Sequence, residues 1–433
     1  MAARGRAAGE TRGDRDASAD ESISVETAHN IILSGRGPGI AKIYSGPIRK
    51  TPFCQIPANP FGPIGYDIAP QGTFTPRKDQ QMTASTPDST RIPALDGLRA
   101  IAILLVIASH SIDHSNTLAR GGIAGVMIFF ALSGYLITAR LIIEYEAAGR
   151  VDLRNFYLRR AFRILPSAVT FLFVIMILSG LGIVDCDARS LLSALFFYAN
   201  YVDLREMAWR VGHFWSLSVE EHFYLIWPFL LITCGVLKGW RTAAALACAV
   251  FLWRMLDTHY QIAATSFHAP YLEGLGLRTD LIADTLLWGC CLAFCRFAIG
   301  PVLSTSMVLV SIVLLVLFYV GVTDSLVARN HAESLMHVLP TILLGALVLC
   351  PESPIGKVLD SPPMRFVGKL SYSLYIWQQL FLGGHDPRLP IPLALAAAFV
   401  CAYLSYRFVE KPCIRFGRRW IARRPLISAV EPV

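Results

Sequence analysis

The chain has 433 residues, of which 54% are hydrophobic and only 16% charged, and its formal net charge is +8. This composition, with a mean hydropathy of +0.49, excludes a typical soluble or disordered chain. Apolar runs of about 20 residues recur, and each is long enough to cross a bilayer as a helix. The sequence therefore predicts an all-α polytopic membrane protein, in which the basic excess reflects topology and contact with anionic lipid, not nucleic-acid binding.

The first 90 residues differ from the rest of the chain. They are rich in proline and glycine, contain few aromatic residues and lack the apolar core of a signal peptide. We expect residues 1–90 to be disordered and cytoplasmic, 91–412 to form the transmembrane domain, and 413–433 to be a basic cytoplasmic tail. Because Met82 closely precedes the first apolar segment, we hypothesise that translation starts there, which N-terminal sequencing of the native protein would test.

About ten transmembrane helices are predicted. Lysine and arginine concentrate in the loops that are cytoplasmic when both termini are cytoplasmic, so the charge bias favours this orientation. Residues 190–201 are apolar but too few to cross, which favours an interfacial or re-entrant piece. The predicted spans are roughly 96–115, 122–139, 164–183, 218–237, 242–257, 281–297, 302–321, 335–350, 370–384 and 391–408.

The first predicted span contains an unusual pair, Arg99 and His110. His110 follows Arg99 by eleven positions on a helix, so both side chains project from one face, about 16 Å apart along the axis. A charged and a titratable side chain in hydrocarbon cost on the order of 3 kcal/mol or more each. This cost favours a role in chemistry.

Arginines dominate the first cytoplasmic loop. Between Arg140 and Arg163 there are six arginines and no lysine, and Arg160 and Arg163 share a helical face. One interpretation is a positive-inside anchor. The other is a receptor for the phosphates of a cytoplasmic donor, because guanidinium groups suit multidentate phosphate binding.

A second polar cluster lies in HFWSLSVEEHFYLIWP, residues 213–228, where an external loop enters the fourth span. Glu220 and Glu221 are candidates for catalysis there, or else carboxylates wetted by the headgroup region that complement the helix dipole. Further along, Arg254 and Asp257 are spaced as a structural ion pair. Asp280 and Asp284, four residues apart, allow either a structural or a functional role.

No metal site is predicted. The cysteines lie mostly in apolar segments, without the paired spacing of a zinc site or a disulfide framework, which favours packing roles. His110, Asp113 and His114 have i, i+3, i+4 spacing and are a rival ligand set. However, a catalytic zinc site usually recruits a further ligand from elsewhere, and none is evident.

Several of these segments together resemble the acyltransferase 3 family of bacterial membrane-bound O-acyltransferases. The family's first helix carries a basic residue, ten intervening residues and a histidine, which Arg99 and His110 match. The chain departs from common family patterns at Met127, His222, Gln378 and Arg278; at Gln378 many relatives have histidine. The other matching fragments, in family order, are GVMIFFALSGYLIT (125–138), the Arg-x-x-Arg of Arg160 and Arg163, residues 213–228, LSYSLYIW (370–377) and FVEKP (408–412).

The resemblance implies transfer of an acyl group, most often acetyl, from cytoplasmic acyl-CoA to a hydroxyl of a carbohydrate or other glycosylated acceptor. Arg160 and Arg163 would hold the phosphates of this co-substrate, and no permanently bound cofactor is expected. His110 would deprotonate the acceptor hydroxyl, and Arg99 would hold the donor or stabilise the developing oxyanion. Glu220 or Glu221 would assist at the external mouth, and an acyl-histidine intermediate stays open.

The resemblance also implies a multi-pass protein of the bacterial inner membrane. We expect the type that lacks a C-terminal hydrolase-like domain. The acceptor stays open among exopolysaccharide, lipopolysaccharide O-antigen, a lipid-linked sugar, a lipo-oligosaccharide and a glycosylated antibiotic, and the oligomeric state is open. The alternative is a secondary transporter or flippase, because intramembrane charges also serve transport; no clear inverted repeat supports it.

Overall fold

The computed structural model describes residues 92–111, 121–203, 206–260, 277–295, 299–321, 326–383 and 389–423. Within these ranges the regular secondary structure is helical and contains no strand. The expectations for residues 1–90, including the Met82 start, fall outside the described residues, as does the end of the basic tail.

Fourteen α-helices are labelled in chain order within the described residues, and a π-helical turn, Tyr406–Glu410, connects the last two. The helices are α1 Ala94–Ser111, α2 Gly121–Ala148, α3 Leu153–Gly180, α4 Ala188–Leu195, α5 Phe214–Thr233, α6 Gly239–Tyr260, α7 Thr279–Ile282, α8 Asp284–Leu292, α9 Pro301–Gly321, α10 Leu326–Leu349, α11 Pro354–Leu359, α12 Pro362–Phe381, α13 Ile391–Ser405 and α14 Lys411–Ala422.

Each of the ten predicted spans overlaps one of these helices. By length and composition, five described segments are long and apolar enough to cross a membrane: 94–111, 121–148, 153–180, 236–257 and 391–422. A multi-pass all-α architecture is therefore supported, while the count of ten and the position of the termini stay predictions. Residues 190–201 fold into α4 and a single 3₁₀ turn, as expected for a segment too short to cross.

A short connection between α2 and α3 fixes the conformation of the arginine-rich loop. Gly149, at φ +67°, ends α2 in the left-handed region that favours glycine. Asp152 then caps α3 by accepting a hydrogen bond from the backbone N–H of Asn155 at 2.9 Å. Glu144 on α2 accepts from the Asp152 N–H at 2.8 Å and pairs with Arg159 on α3 at 3.1 Å. The two helices therefore present their arginines at the same end of the bundle.

The helix that carries Arg99 and His110 packs between α2 and α12. Gly368 on α12 allows the closest approach, because a β-carbon there would overlap the backbone carbonyl of Asp96 on α1. Small residues at such crossings let helix backbones meet in a membrane. The contact holds the N-terminal part of α1, where Arg99 lies, against α12.

We expect Gly368→Ala to destabilise the protein, because its methyl group can be placed only by shifting backbone. Overpacking of this kind costs about 1–3 kcal/mol. Thermal unfolding of the detergent-purified protein should show a clearly lower Tm. Gly180→Ala, at a helical glycine with open space around it, is the matched control and should leave the Tm unchanged. Equal Tm values for the two variants would contradict the predicted close packing.

Candidate functional site

A cavity of about 970 Å³ opens at the end of the bundle where α1 begins, α2 ends and α3 begins. Residues of α5, α12 and α14 complete its walls. Among its lining residues are six arginines and three carboxylates, an excess of positive charge suited to a polyanion. They are Arg99, Arg140, Arg159, Arg160, Arg163, Arg418, Asp96, Glu144 and Glu220.

Three of these arginines come together in the inner part of the cavity. Arg99 pairs with Asp96 one turn earlier on α1, at 3.3 Å. The charges of Arg160 and Arg163 on α3 act on Arg99 unfavourably. Arginines crowded together are relieved by a bound anion, so the inner cavity is built to receive one.

Glu220 belongs to this same inner region. Its carboxylate accepts hydrogen bonds from Ser133 on α2 at 3.0 Å and from Tyr224, one turn along α5, at 2.7 Å. The guanidinium carbon of Arg160 lies 4.3 Å from the centre of the Tyr224 ring. The sequence predicts Glu220 at an external mouth, whereas the structure places it beside the arginines, because α5 carries it more than a turn inward from its first residue.

Glu221 points elsewhere. It lines a second cavity of about 210 Å³ between α3 and α5, together with Arg160 and the exposed apolar side chains of Leu165 and Leu225. Its Oε1 is buried and has no hydrogen-bond partner among the described residues. The structure therefore distinguishes the two adjacent carboxylates that the sequence could not separate, and only Glu220 faces the arginine-lined cavity.

The cavity wall opposite the mouth contains Ser216 of α5 and Tyr375 of α12. Their hydroxyl oxygens are 2.5 Å apart, and Tyr375 also donates to the backbone carbonyl of His213 at 3.1 Å. Both side chains are buried. At this polar pair the cavity comes closest to the region that contains His110 and His213.

His110 lies just beyond that wall. Its Nδ1 is 2.8 Å from Oε1 of Gln378, and its ring meets Trp209 edge-on with centroids 5.4 Å apart. Gln378 follows Tyr375 by three residues on α12, a rise of about 4.5 Å. His110 is not among the residues that line the large cavity. The two residues that the sequence pairs therefore lie at different depths: Arg99 lines the cavity, and His110 lies about one helical turn past its inner wall.

A second histidine, His213, is fixed beside this region in a defined tautomer. Oε1 of Gln379 accepts the backbone N–H of His213 at 3.0 Å and also lies 2.8 Å from its Nδ1. Because a backbone N–H can only donate, the acceptor atom is the amide oxygen, and Nδ1 must carry the hydrogen. Nε2 of His213 is then an acceptor, buried and without a partner among the described residues.

Glu410 is a site residue that the sequence motifs contained but did not assign. It lies in the π-helical turn, is buried, and accepts a hydrogen bond from Ser373 at 2.8 Å. The charges of Arg163 and Arg99 act on it favourably. Single π-turns are frequent at functional sites, so its place in the FVEKP fragment was the available signal.

The remaining polar residues form structural groups apart from the cavity. The ion pair that the structure shows for Arg254 is with Asp284 on α8, at 2.9 Å, and not with the predicted Asp257. His337 lies 2.6 Å from the same carboxylate. Asp280 accepts from Trp253 at 2.8 Å.

Of the rival metal ligands, His110 lies among the described residues. Asp113 and His114 lie outside the described residues. Among the residues that are described, no group of three or more histidine, cysteine, aspartate or glutamate side chains is arranged to hold a metal ion.

Comparison with known proteins gives a consistent match. Residues 92–407 match the model of the acyltransferase 3 family, which is described as "Acyltransferase domain". "Peptidoglycan O-acetyltransferase OatA" of Listeria monocytogenes is 30% identical over 75% of this chain and 56% of that protein. "Putative peptidoglycan O-acetyltransferase YrhL" of Bacillus subtilis is 30% identical over 78% and 57%.

A third relative, a "Putative O-acetyltransferase" of Staphylococcus aureus strain COL, is 29% identical over 77% of this chain and 59% of its own length. The chain thus covers between 56% and 59% of the length of these relatives. No solved structure is significantly similar to it.

Proposed function

This chain belongs to the acyltransferase 3 family, as its motifs predict, and from that premise we propose that it transfers an acetyl group from acetyl-CoA to a hydroxyl of a cell-envelope carbohydrate. One observation carries the proposal. An arginine-rich cavity reaches inward from one end of the bundle, and its inner wall lies about one helical turn from His110.

The donor would occupy the cavity. Coenzyme A is a polyanion at its nucleotide end and a thioester at the other, so the arginines at the mouth and in the inner region suit the first part. The positive-inside rule favours the cytoplasm for that end, where acetyl-CoA is made. Arg160 and Arg163 would contact donor phosphates, and Arg99, which lies beside them, would help to hold the donor there.

His110 would act as the general base. It removes the proton of the acceptor hydroxyl, the hydroxyl oxygen attacks the thioester carbonyl, and the thiolate of coenzyme A leaves. Gln378, with Oε1 at 2.8 Å from Nδ1, would orient the ring so that Nε2 receives the proton. Glu220, held by Ser133 and Tyr224, would position Arg160 beside the donor.

The acceptor is proposed from the relatives. Two of them carry peptidoglycan in their printed names, so a peptidoglycan glycan strand is the first candidate and other surface or exported carbohydrates the next. The protein would work in the bacterial cytoplasmic membrane, where the donor and an exported acceptor can be approached from opposite faces.

The test is acetyl transfer by the purified protein in lipid nanodiscs. With radiolabelled acetyl-CoA and soluble peptidoglycan fragments, we expect label in the fragments as a base-labile ester and release of one coenzyme A thiol per acetyl group. Surface glycans of deletion and wild-type strains, compared by mass spectrometry, should differ by the acetyl increment. Binding of acetyl-CoA without any thiol release, with or without glycans, would contradict an acyltransferase and favour the transporter alternative.

Tyr224 offers a separate check on the inner site. Tyr224→Phe removes the hydrogen bond to Glu220 but keeps the ring beneath Arg160. A hydrogen bond to a charged group contributes about 1.5–3 kcal/mol, so we expect transfer to slow by about tenfold or more. Tyr157→Phe, which removes a hydroxyl bonded only to the backbone carbonyl of Leu225 on the outer side of α5, is the control. Equal activities in both variants would exclude a role for the Tyr224 hydroxyl.

A further inference from the structure

Five of the six arginines that line the large cavity fall into two groups, and the sixth, Arg159, pairs with Glu144. Arg99, Arg160 and Arg163 are half-buried in its inner region, whereas Arg140 and Arg418 are exposed at its mouth. Both outer residues line the cavity, and the charge of Arg418 acts unfavourably on Arg140. The mouth therefore carries two exposed arginines of its own, in addition to the Arg-x-x-Arg pair.

Glu144 also lines the cavity, and its charge acts favourably on Arg140. Its two oxygens are engaged by Arg159 and by the Asp152 N–H. Neither Arg140 nor Arg418 forms an ion pair with a described carboxylate. Two guanidinium groups that face one cavity, and that form no ion pair with a described carboxylate, can bind a doubly charged anion.

Arg418 is held on a packed helix and not on a free tail. Phe162 of α3 meets Phe416 and Trp420 of α14 with ring centroids 5.7 and 6.0 Å apart, and Gly417 packs directly on Phe162. The helix thus forms one wall of the mouth. It begins at Lys411, after the end of the family match at residue 407, and Arg418 lies beyond the last family fragment, FVEKP.

We propose that Arg140 and Arg418 form a subsite for the 3′-phosphate of coenzyme A. This inference rests on the proposed donor. In coenzyme A the pantetheine arm separates the thioester from the pyrophosphate, and the ribose with its 3′-phosphate lies beyond. With the thioester directed to the inner wall and the pyrophosphate at Arg160 and Arg163, the 3′-phosphate is the outermost group, at the mouth.

The test compares coenzyme A with 3′-dephospho-coenzyme A, which lacks only that phosphate. Calorimetry on the full chain in nanodiscs of neutral lipid should give the wild-type protein a Kd at least about tenfold lower for coenzyme A. The double variant Arg140→Gln, Arg418→Gln should reduce this ratio to within about twofold and leave the Kd of the dephospho compound unchanged. Arg160→Gln should raise the Kd of both compounds by a similar factor.

A neighbouring arginine serves as the control. Arg415 is exposed on the same helix but does not line the cavity, so Arg415→Gln should preserve the wild-type ratio. A wild-type protein that binds the two compounds equally, or a double variant that keeps the full ratio, would overturn the subsite while leaving the donor intact. Failure of the wild-type protein to bind either compound would instead overturn the proposed donor.

Anionic lipid is the other source of phosphate at this face. Repeating the titrations with phosphatidylglycerol in the nanodiscs separates the two. A wild-type ratio of coenzyme A to dephospho-coenzyme A affinity that persists in anionic lipid supports the subsite. If the double substitution changes only the lipid dependence of activity, and not this ratio, the two arginines bind headgroups and the proposal is wrong.

Discussion

His110→Ala is expected to lower acetyl transfer at least about a hundredfold, because a positioned general base contributes about 10²–10⁴-fold. The structure adds a second expectation. Since His110 lies beyond the cavity wall, its replacement should leave the Kd for coenzyme A unchanged. The lowered activity should therefore appear as a lower kcat. The measurements are thiol release at saturating acetyl-CoA and calorimetric binding of coenzyme A by the same preparation.

His222→Gln is the matched control for this substitution. His222 lies on α5, bonds to Thr279 at 2.8 Å and does not line the cavity. Its activity should stay within about twofold of the wild type. Undiminished transfer by the His110→Ala protein would remove the general-base mechanism, whereas a joint loss of coenzyme A binding would place His110 in donor recognition instead.

Arg160→Gln should raise the Kd for coenzyme A by about tenfold or more. A charge-assisted hydrogen bond contributes about 1.5–3 kcal/mol, and 1.4 kcal/mol corresponds to a factor of ten. Arg160 also lies over Tyr224, whose hydroxyl bonds to Glu220, so kcat should fall as well. Arg160→Lys retains the charge but not the planar fork, and we expect an intermediate Kd.

Arg189 provides the control for this second prediction. It is 62% exposed and pairs with Glu206 at 2.7 Å, away from the cavity. Arg189→Gln should bind coenzyme A like the wild type. An unchanged Kd in Arg160→Gln at low salt, where electrostatic attraction is least screened, would mean that the Arg-x-x-Arg element is only a topological anchor.

Much of the helical architecture could be predicted from local sequence patterns. Hydropathy over windows of about 20 residues located helices that overlap every predicted span. The 3.6-residue period placed Arg99 and His110 on one face of α1. From there Arg99 lines the cavity and His110 contacts Gln378 on α12. A spacing of four residues also puts Ser216, Glu220 and Tyr224 on one face of α5, and all three line the cavity.

Other assignments failed because they depend on partners distant in the chain. Arg254 was predicted to pair with its near neighbour Asp257, but the ion pair in the structure joins it to Asp284, 30 positions later. The depth of Glu220 was misjudged because the position of α5 relative to α2 and α3 is not contained in the spacing of α5 itself.

By itself, then, the sequence determined the helical membrane class, the family, the pair Arg99 and His110, and the Arg-x-x-Arg element. These are properties of composition and of residues within a few turns of one another. Only the tertiary structure decided that Glu220 and not Glu221 lines the large arginine-rich cavity, that Gln378 meets His110 across 268 positions, and that Arg418 lines the cavity mouth. Helix crossings set these contacts, and a crossing is fixed by the packing of two distant surfaces, which the period of either helix alone does not specify.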